Sequence, residues 1–217
     1  MTGKQADIGA IRTAYKMGSL NESEISEDPI VQFRRWFEEA LESGVMEPNA
    51  MTLATASADG QPSVRIVLLK DISDAGFGFF TNYESQKGVE LNRNPAAALL
   101  FFWPELQRQV RITGQVAKMP AAQSDAYFHS RPSGSQLGAI ASPQSREIAG
   151  RGELDARLTK LEQHYAAGTP IPRPSHWGGY RLTPQTIEFW QGRDNRLHDR
   201  LRYSRAHAGW RVVRLAP

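Results

Sequence analysis

MTLATASADGQPSVRIVLLK, Met51 to Lys70, holds two short extended runs, Met51 to Ala56 and Ser63 to Lys70, on either side of the turn pair Asp59-Gly60. The same rhythm continues downstream in Phe77 to Thr81, Ala97 to Phe102 and Gln109 to Lys118, punctuated by Ser73 to Gly76 and by Asn94-Pro95. It resumes in Gly179 to Leu182, Thr186 to Trp190, Leu201 to Ser204 and Trp210 to Leu215. Short antiparallel strands at this spacing predict a barrel, and the class is mainly β with accessory helices.

Helical signals surround the strands. Asp28 and Pro29 read as an N-cap and first helical position, after which Ile30, Phe33, Phe37, Ala40 and Leu41 recur at helical spacing until Gly44. Further helices are expected from Ala121 to Ser130 and from Glu153 to Tyr165, the latter with Leu154, Leu158 and Leu161 on one stripe. Between them RPSGSQLGAIASPQS, Arg131 to Ser145, reads as a long functional loop with at most one short helix. Gly168 to Ser175, with its three prolines, is a stiff connection. Residues 1–28 are expected to be a mobile N-terminal segment and 29–217 a single domain.

Composition narrows the function classes. The chain of 217 residues carries 26 Lys and Arg against 23 Asp and Glu, an excess that suits anionic small molecules without a basic arm for nucleic acid. It has no cysteine, which excludes disulfides, thiol nucleophiles and cysteine-based metal sites. The longest apolar run, Ala96 to Trp103, is far shorter than the roughly 20 residues that span a bilayer. The first residues lack the apolar stretch of a secretory signal, so a cytoplasmic protein is expected. HExxH, GxSxG and GxxxxGK[ST] are absent, and the scattered histidines do not compose a metal site.

What the chain does offer is cations on structured elements. In SVRIVLLK, Val64, Ile66 and Leu68 share one face and leave Arg65 on the other beside Val67 and Leu69; a buried arginine there requires an anion, either a ligand or an internal carboxylate. Lys70 has the opposite parity. In TNYESQKG, Ser85 caps a short helix, either as capping alone or as a phosphate seat built from its free N–H groups and Lys87. Tyr127 and Arg131 lie one helical turn apart, with Ser135 following in a glycine-containing loop, whereas His129 faces elsewhere. Gln109 shares a strand face with Arg111 and Thr113.

FWQGRDNRLHDR, Phe189 to Arg200, is the densest cluster. If Asn195 to Leu201 is extended, Arg196, His198 and Arg200 share one face beside Trp190, either as a solvated strand or as a seat for a flat phosphorylated ligand. A chain that holds planar anions but lacks its own nucleophile and metal points to a cofactor for the chemistry.

Taken together, RIVLLK, FFTNYES-K, RQVRITG, YFHSRP, Gln144-Ser145, SHWGGYRL, EFWQG, RLHDR and the terminal RLAP resemble the pyridoxine 5′-phosphate oxidases, over Arg12 to Pro217. These are FMN enzymes that make pyridoxal 5′-phosphate. The resemblance implies a split β-barrel and a homodimer with FMN in clefts at the interface, both chains contributing. It places FMN on Arg65, Ile66, Val67, Leu68, Leu69, Lys70, Phe80, Thr81, Lys87, Gln109, Gln144, Ser145, Trp190 and Arg200. At the FMN position before Lys87 the family commonly has arginine, and this chain has Gln86. Substrate falls on Lys70, Tyr127, Arg131, Ser135, Arg196, Leu197 and His198, with Arg12 and Tyr15 as contacts from the N-terminal segment. The implied reaction moves hydride from substrate C4′ to flavin N5, with Arg196 and His198 as the catalytic residues. Oxygen then reoxidises the flavin and leaves as hydrogen peroxide; the amine substrate also yields ammonia.

Overall fold

The computed structural model describes residues 7–10, 13–165 and 168–217. Its framework is a nine-stranded antiparallel sheet in the order β2-β1-β5-β6-β7-β4-β3, with β8 and β9 continuing from β7. The strands are β1 (Ala50–Ala56), β2 (Pro62–Leu68), β3 (Asp71–Ser73), β4 (Gly76–Asn82), β5 (Ala96–Trp103), β6 (Arg108–Lys118), β7 (Trp177–Gln191), β8 (Asp199–Arg205) and β9 (Trp210–Arg214). The sheet curls into a split barrel. The opening sequence stretch forms the β1–β2 hairpin, paired from Ala50 with Leu68 to Ala56 with Pro62.

Helix α1 (Pro29–Glu42) packs into the curl of the sheet. Asp28 caps it, its carboxylate accepting the Ile30 N–H at 2.7 Å. Phe33 then stands edge-on to Phe77 and to Phe101, each at 4.9 Å, and Trp36 meets Phe189 at 5.1 Å. Phe33, Phe77, Phe101 and Phe189 are wholly buried, so one helix face and three strands, β4, β5 and β7, share a single aromatic core. Helices α2 (Gln86–Arg93), α3 (Ala121–Ser130), α4 (Ser133–Ala141) and α5 (Arg151–His164) lie outside it. Phe128, Leu137, Ile171 and Trp177 form a second, smaller cluster beneath α3, α4 and α5.

Three elements differ from expectation. Gly179 to Leu182 and Thr186 to Trp190 are halves of one strand, β7, fifteen residues long. Pro184 suggests a break, because proline cannot donate to a ladder. Here it sits where β7 changes partners on one side, from β4 up to Leu182 to β8 from Thr186, and where the register with β6 slips at Thr113/Gly114. The missing donor therefore falls in a gap. Asp71 to Ser73, part of which reads as turn, forms the short edge strand β3 against β4. Finally, Asn195 to Leu201 is not extended throughout: Asp194–Arg196 is a 3-10 turn, and Asn195 and Arg196 have φ of 55° and 64°. Strict alternation thus fails for Arg196 and His198, and β8 begins only at Asp199.

Candidate active site

A cavity of about 520 Å³ opens between β2, β4, α3 and α4. Such a volume is in the range of small-ligand sites. From β2 and its C-terminal end come Arg65, Ile66, Val67, Leu68 and Lys70; from β4, Phe80 and Thr81; from α2, Lys87. Tyr127, Arg131, Ser135 and Gln144 close the other side. Asn82, Gly138, Ala139, Ser142 and Trp177, which are not among the expected site residues, also line it. Trp177 lay within the quoted SHWGGYRL, and an aromatic at a strand start was its available signal.

The cations in this cavity are unequally satisfied. Lys87 is only 8% exposed, and Nζ reaches Gln144 Oε1 at 2.9 Å and Ser85 Oγ at 3.3 Å. Burial, reinforced by the Arg65 charge, lowers its amine from 10.5 to about 8. Arg131 lies over the Trp177 ring at 4.8 Å, and its buried Nη1 has no hydrogen-bond partner. Burial lowers its pKa too. Neither cation has an ion pair among the described residues. A desolvated cation with an orphaned donor facing a cavity is the feature expected of an anion site. Phe80 and Tyr127 stack at 3.9 Å and Phe80 and Trp177 at 5.6 Å, which lays flat rings beside these charges.

Arg65 takes the internal carboxylate. It pairs with Glu90 at 3.4 Å and donates to Thr55, to Ser63 and to the Leu53 carbonyl. Burial pushes the Glu90 carboxyl up, but hydrogen bonds from Thr55, Ser63 and Gln86 together with the Arg65 charge outweigh it and hold it low. Gln86 does not line the cavity; its amide donates to Glu90 Oε1 at 2.9 Å. Leu69 is buried in the main core, and Ser145 lies outside the lining with φ 71°. His129 meets the Ile171 carbonyl at 3.2 Å, a structural contact away from the cavity.

The remaining residues of the expected site gather at the other end of β7. Trp190 pairs in register with Gln109 of β6 and Arg200 of β8. Arg200 donates from Nε to the buried Glu188 at 2.9 Å and from Nη1 to the Ala216 carbonyl at 2.8 Å. His198 tilts against Trp190 at 4.6 Å, and Tyr15 stands edge-on to His198 at 5.4 Å and to Trp190 at 5.9 Å. The Arg196 guanidinium lies 5.9 Å from the Tyr15 ring. Leu197 is 70% exposed. Arg12 is outside the described residues.

His198 Nδ1 accepts the Arg193 N–H at 3.1 Å, which assigns the neutral tautomer with the proton on Nε2. Burial, with the Arg196 charge, lowers its pKa and favours that neutral form. The ring therefore offers a donor, Nε2–H. Arg196 is held in the left-handed region, a conformation costing about 1–2 kcal/mol for a residue with a side chain.

Trp177 and Trp190 mark the two clusters, thirteen residues apart on one strand, or roughly 40 Å of extended chain. No residue of the Trp190 cluster lines the cavity. Within one chain the expected site is thus split in two. No described helix is long and apolar enough to cross a membrane.

Comparison with known proteins gives the split a context. A family model described as pyridoxamine 5′-phosphate oxidase matches residues 37–165, and one described as the pyridoxine 5′-phosphate oxidase C-terminal dimerisation region matches residues 177–217. A curated pyridoxine/pyridoxamine 5′-phosphate oxidase of Cupriavidus pinatubonensis is 58% identical over 97% of this chain and 99% of its own. That of Salinibacter ruber is 56% identical with the same coverage. Among solved structures, PhzG from Burkholderia lata 383, in complex with tetrahydrophenazine-1-carboxylic acid, superposes with a TM-score of 0.87 at 34% identity, covering 93% of this chain and 99% of that one. With the split barrel, the two family models and full-length relatives in agreement, the chain belongs to the pyridoxamine 5′-phosphate oxidase family.

Proposed function

We propose that the protein is an FMN-dependent oxidase that converts pyridoxine 5′-phosphate or pyridoxamine 5′-phosphate to pyridoxal 5′-phosphate. Oxygen is the electron acceptor and leaves as hydrogen peroxide, and the amine also releases ammonia. The observation that carries this reading is a pair of cations lining one cavity without an ion pair among the described residues, the buried Lys87 on the α2 side and, on the α3 side, the half-buried Arg131 with its orphaned Nη1. Two separate anion seats suit two phosphates, one on the cofactor and one on the substrate.

Lys87, Thr81 and Gln144 would hold the FMN phosphate, with Arg65 behind them in its Glu90 network. Lys70, Tyr127, Arg131 and Ser135 would hold the substrate phosphate, and the Phe80, Tyr127 and Trp177 rings exclude water there. FMN, when bound, would supply the two-electron acceptor, a chemistry that the side chains of a protein without cysteine do not offer. The protein's part is orientation. Arg196 and the His198 Nε2–H would donate to the oxygen or nitrogen on C4′ and orient it; with His198 Nδ1 already accepting the Arg193 N–H, the proton that this oxygen or nitrogen loses would pass to water.

One flavin cannot touch both ends of β7. We infer a homodimer in which the cavity of one protomer faces the Trp190, Arg196, His198 and Arg200 cluster of its partner. The match of residues 177–217 to a dimerisation region supports this arrangement. The exposed outer stripe of β2, with Val64 67% and Ile66 63% accessible, supplies apolar surface beside the cavity.

Purified protein incubated with FMN and pyridoxine 5′-phosphate in air should form pyridoxal 5′-phosphate and peroxide in equal amounts. No turnover of either phosphorylated vitamer, with oxidation of another planar substrate, would replace this reading.

A further inference from the structure

Gln107 follows the 3-10 turn Pro104–Leu106 and is held at φ 53°, ψ 42°. Its backbone is fixed from both sides: its N–H reaches the Pro104 carbonyl at 3.1 Å, and its own carbonyl accepts the Gly192 N–H at 2.8 Å. From this rigid base its side chain meets the N-terminal segment. Oε1 accepts the N–H groups of Lys16 at 2.8 Å and Met17 at 3.1 Å, while Nε2 donates to the Ala14 carbonyl at 3.2 Å. A stretch without helix or strand thereby gains three backbone bonds from one side chain.

Tyr15 lies inside that bracket. Its ring contacts Trp190 and His198 edge-on, and Gly192 provides the space: a Cβ there would fall 2.6 Å from Tyr15 Cδ1. Gly192 is also the residue whose N–H binds Gln107. The backbone clamp and the ring seat therefore share one rigid corner.

We propose that Gln107 is a positioning residue that seats Ala14–Met17 so that Tyr15 stands against His198 and Trp190. The inference rests on the oxidase reading for its kinetic consequence, but not for its structural one. Removing the clamp frees the segment, and misplacement by about 1 Å at a reacting centre is enough to cost about 10²-fold in rate.

The test uses the full-length dimer loaded with FMN. Gln107→Gly removes the side chain and eases the positive φ; Gln107→Glu keeps the acceptor for Lys16 and Met17 and loses the donor to Ala14. Trypsin cleavage after Lys16 should accelerate about tenfold in Gln107→Gly and less in Gln107→Glu. The kcat/KM for pyridoxine 5′-phosphate should fall about tenfold or more in the glycine variant, with FMN affinity unchanged. Gly192→Ala should displace the ring and lower kcat without exposing Lys16. Wild-type cleavage rates in both Gln107 variants, or equal losses of FMN affinity and turnover, would overturn the proposal. If the wild-type protein oxidises neither vitamer, the functional reading fails, while the cleavage result still decides the clamp.

Discussion

The two ends of β7 prepare their charges in opposite ways. At the Trp177 end, the buried Lys87 and the half-buried Arg131 have no carboxylate partner among the described residues and are packed against aromatic rings and neutral oxygens. At the Trp190 end, Arg200 is fixed by Glu188 and Ala216, and His198 by the Arg193 N–H. A cation left unpaired in a low-dielectric cavity gains most when a phosphate arrives, whereas one already paired gains little but keeps its aim. On the proposed function, the difference would separate groups that bind from groups that orient; Arg196, exposed and without an ion pair among the described residues, falls outside it. Arg65 is the exception at the cavity end, its guanidinium turned to Glu90.

The strongest way to break this comparison is to disable each end in a different chain. Arg131→Ala and Arg196→Ala should each lower turnover about 10²-fold, with FMN affinity nearly unchanged in the second. If each active site draws one half from each protomer, refolding the two variants together should restore about a quarter of wild-type activity, because half the dimers are mixed and each has one intact site. Absence of recovery would place both ends in the same chain's site. Equal loss of turnover and FMN affinity in Arg196→Ala would move that residue to the cofactor.

Lys87→Met should act in the opposite sense, weakening FMN about 10- to 100-fold in a flavin fluorescence titration and leaving kcat at saturating FMN near wild type. The same lysine sets a pH dependence. Its amine sits at about 8 in the protein, against 10.5 for an ordinary lysine, and phosphate binds the ammonium form. FMN affinity should therefore be full below about 8 and decline as pH rises through that value. Lys87→Arg should flatten the decline, since guanidinium stays charged. The smallest effect is expected at Gln86, whose amide serves Glu90 outside the cavity. Gln86→Arg should tighten FMN only about two- to fivefold, as partly exposed charge pairs do.

Much of this was legible in the chain because it depends on local pattern. Asp28-Pro29 caps α1, Ser85 caps α2, and Tyr127 and Arg131 line one cavity, although α3 ends at Ser130 and Arg131 is already extended. Pattern failed where a non-local partner overrides local preference. Pro184 reads as a strand end, yet it lies inside β7 because the neighbouring strand changes there. Arg196 and His198 were read on one alternating face, but two residues of positive φ break the alternation before β8 begins. Likewise no spacing rule links Arg65 to Glu90 or Gln107 to Ala14, contacts made across 25 and 93 positions.

By itself the sequence determined a mainly β fold with capped helices, a chain without cysteine, and, through ordered motifs, the family. Only the tertiary structure decided which cations lack an ion pair among the described residues, which nitrogen of His198 carries the proton, and that the expected site residues fall at opposite ends of one strand. The reason is physical. Caps and periodicity are fixed by neighbours along the chain, whereas desolvation and pairing depend on which distant strand or helix arrives to cover a charge.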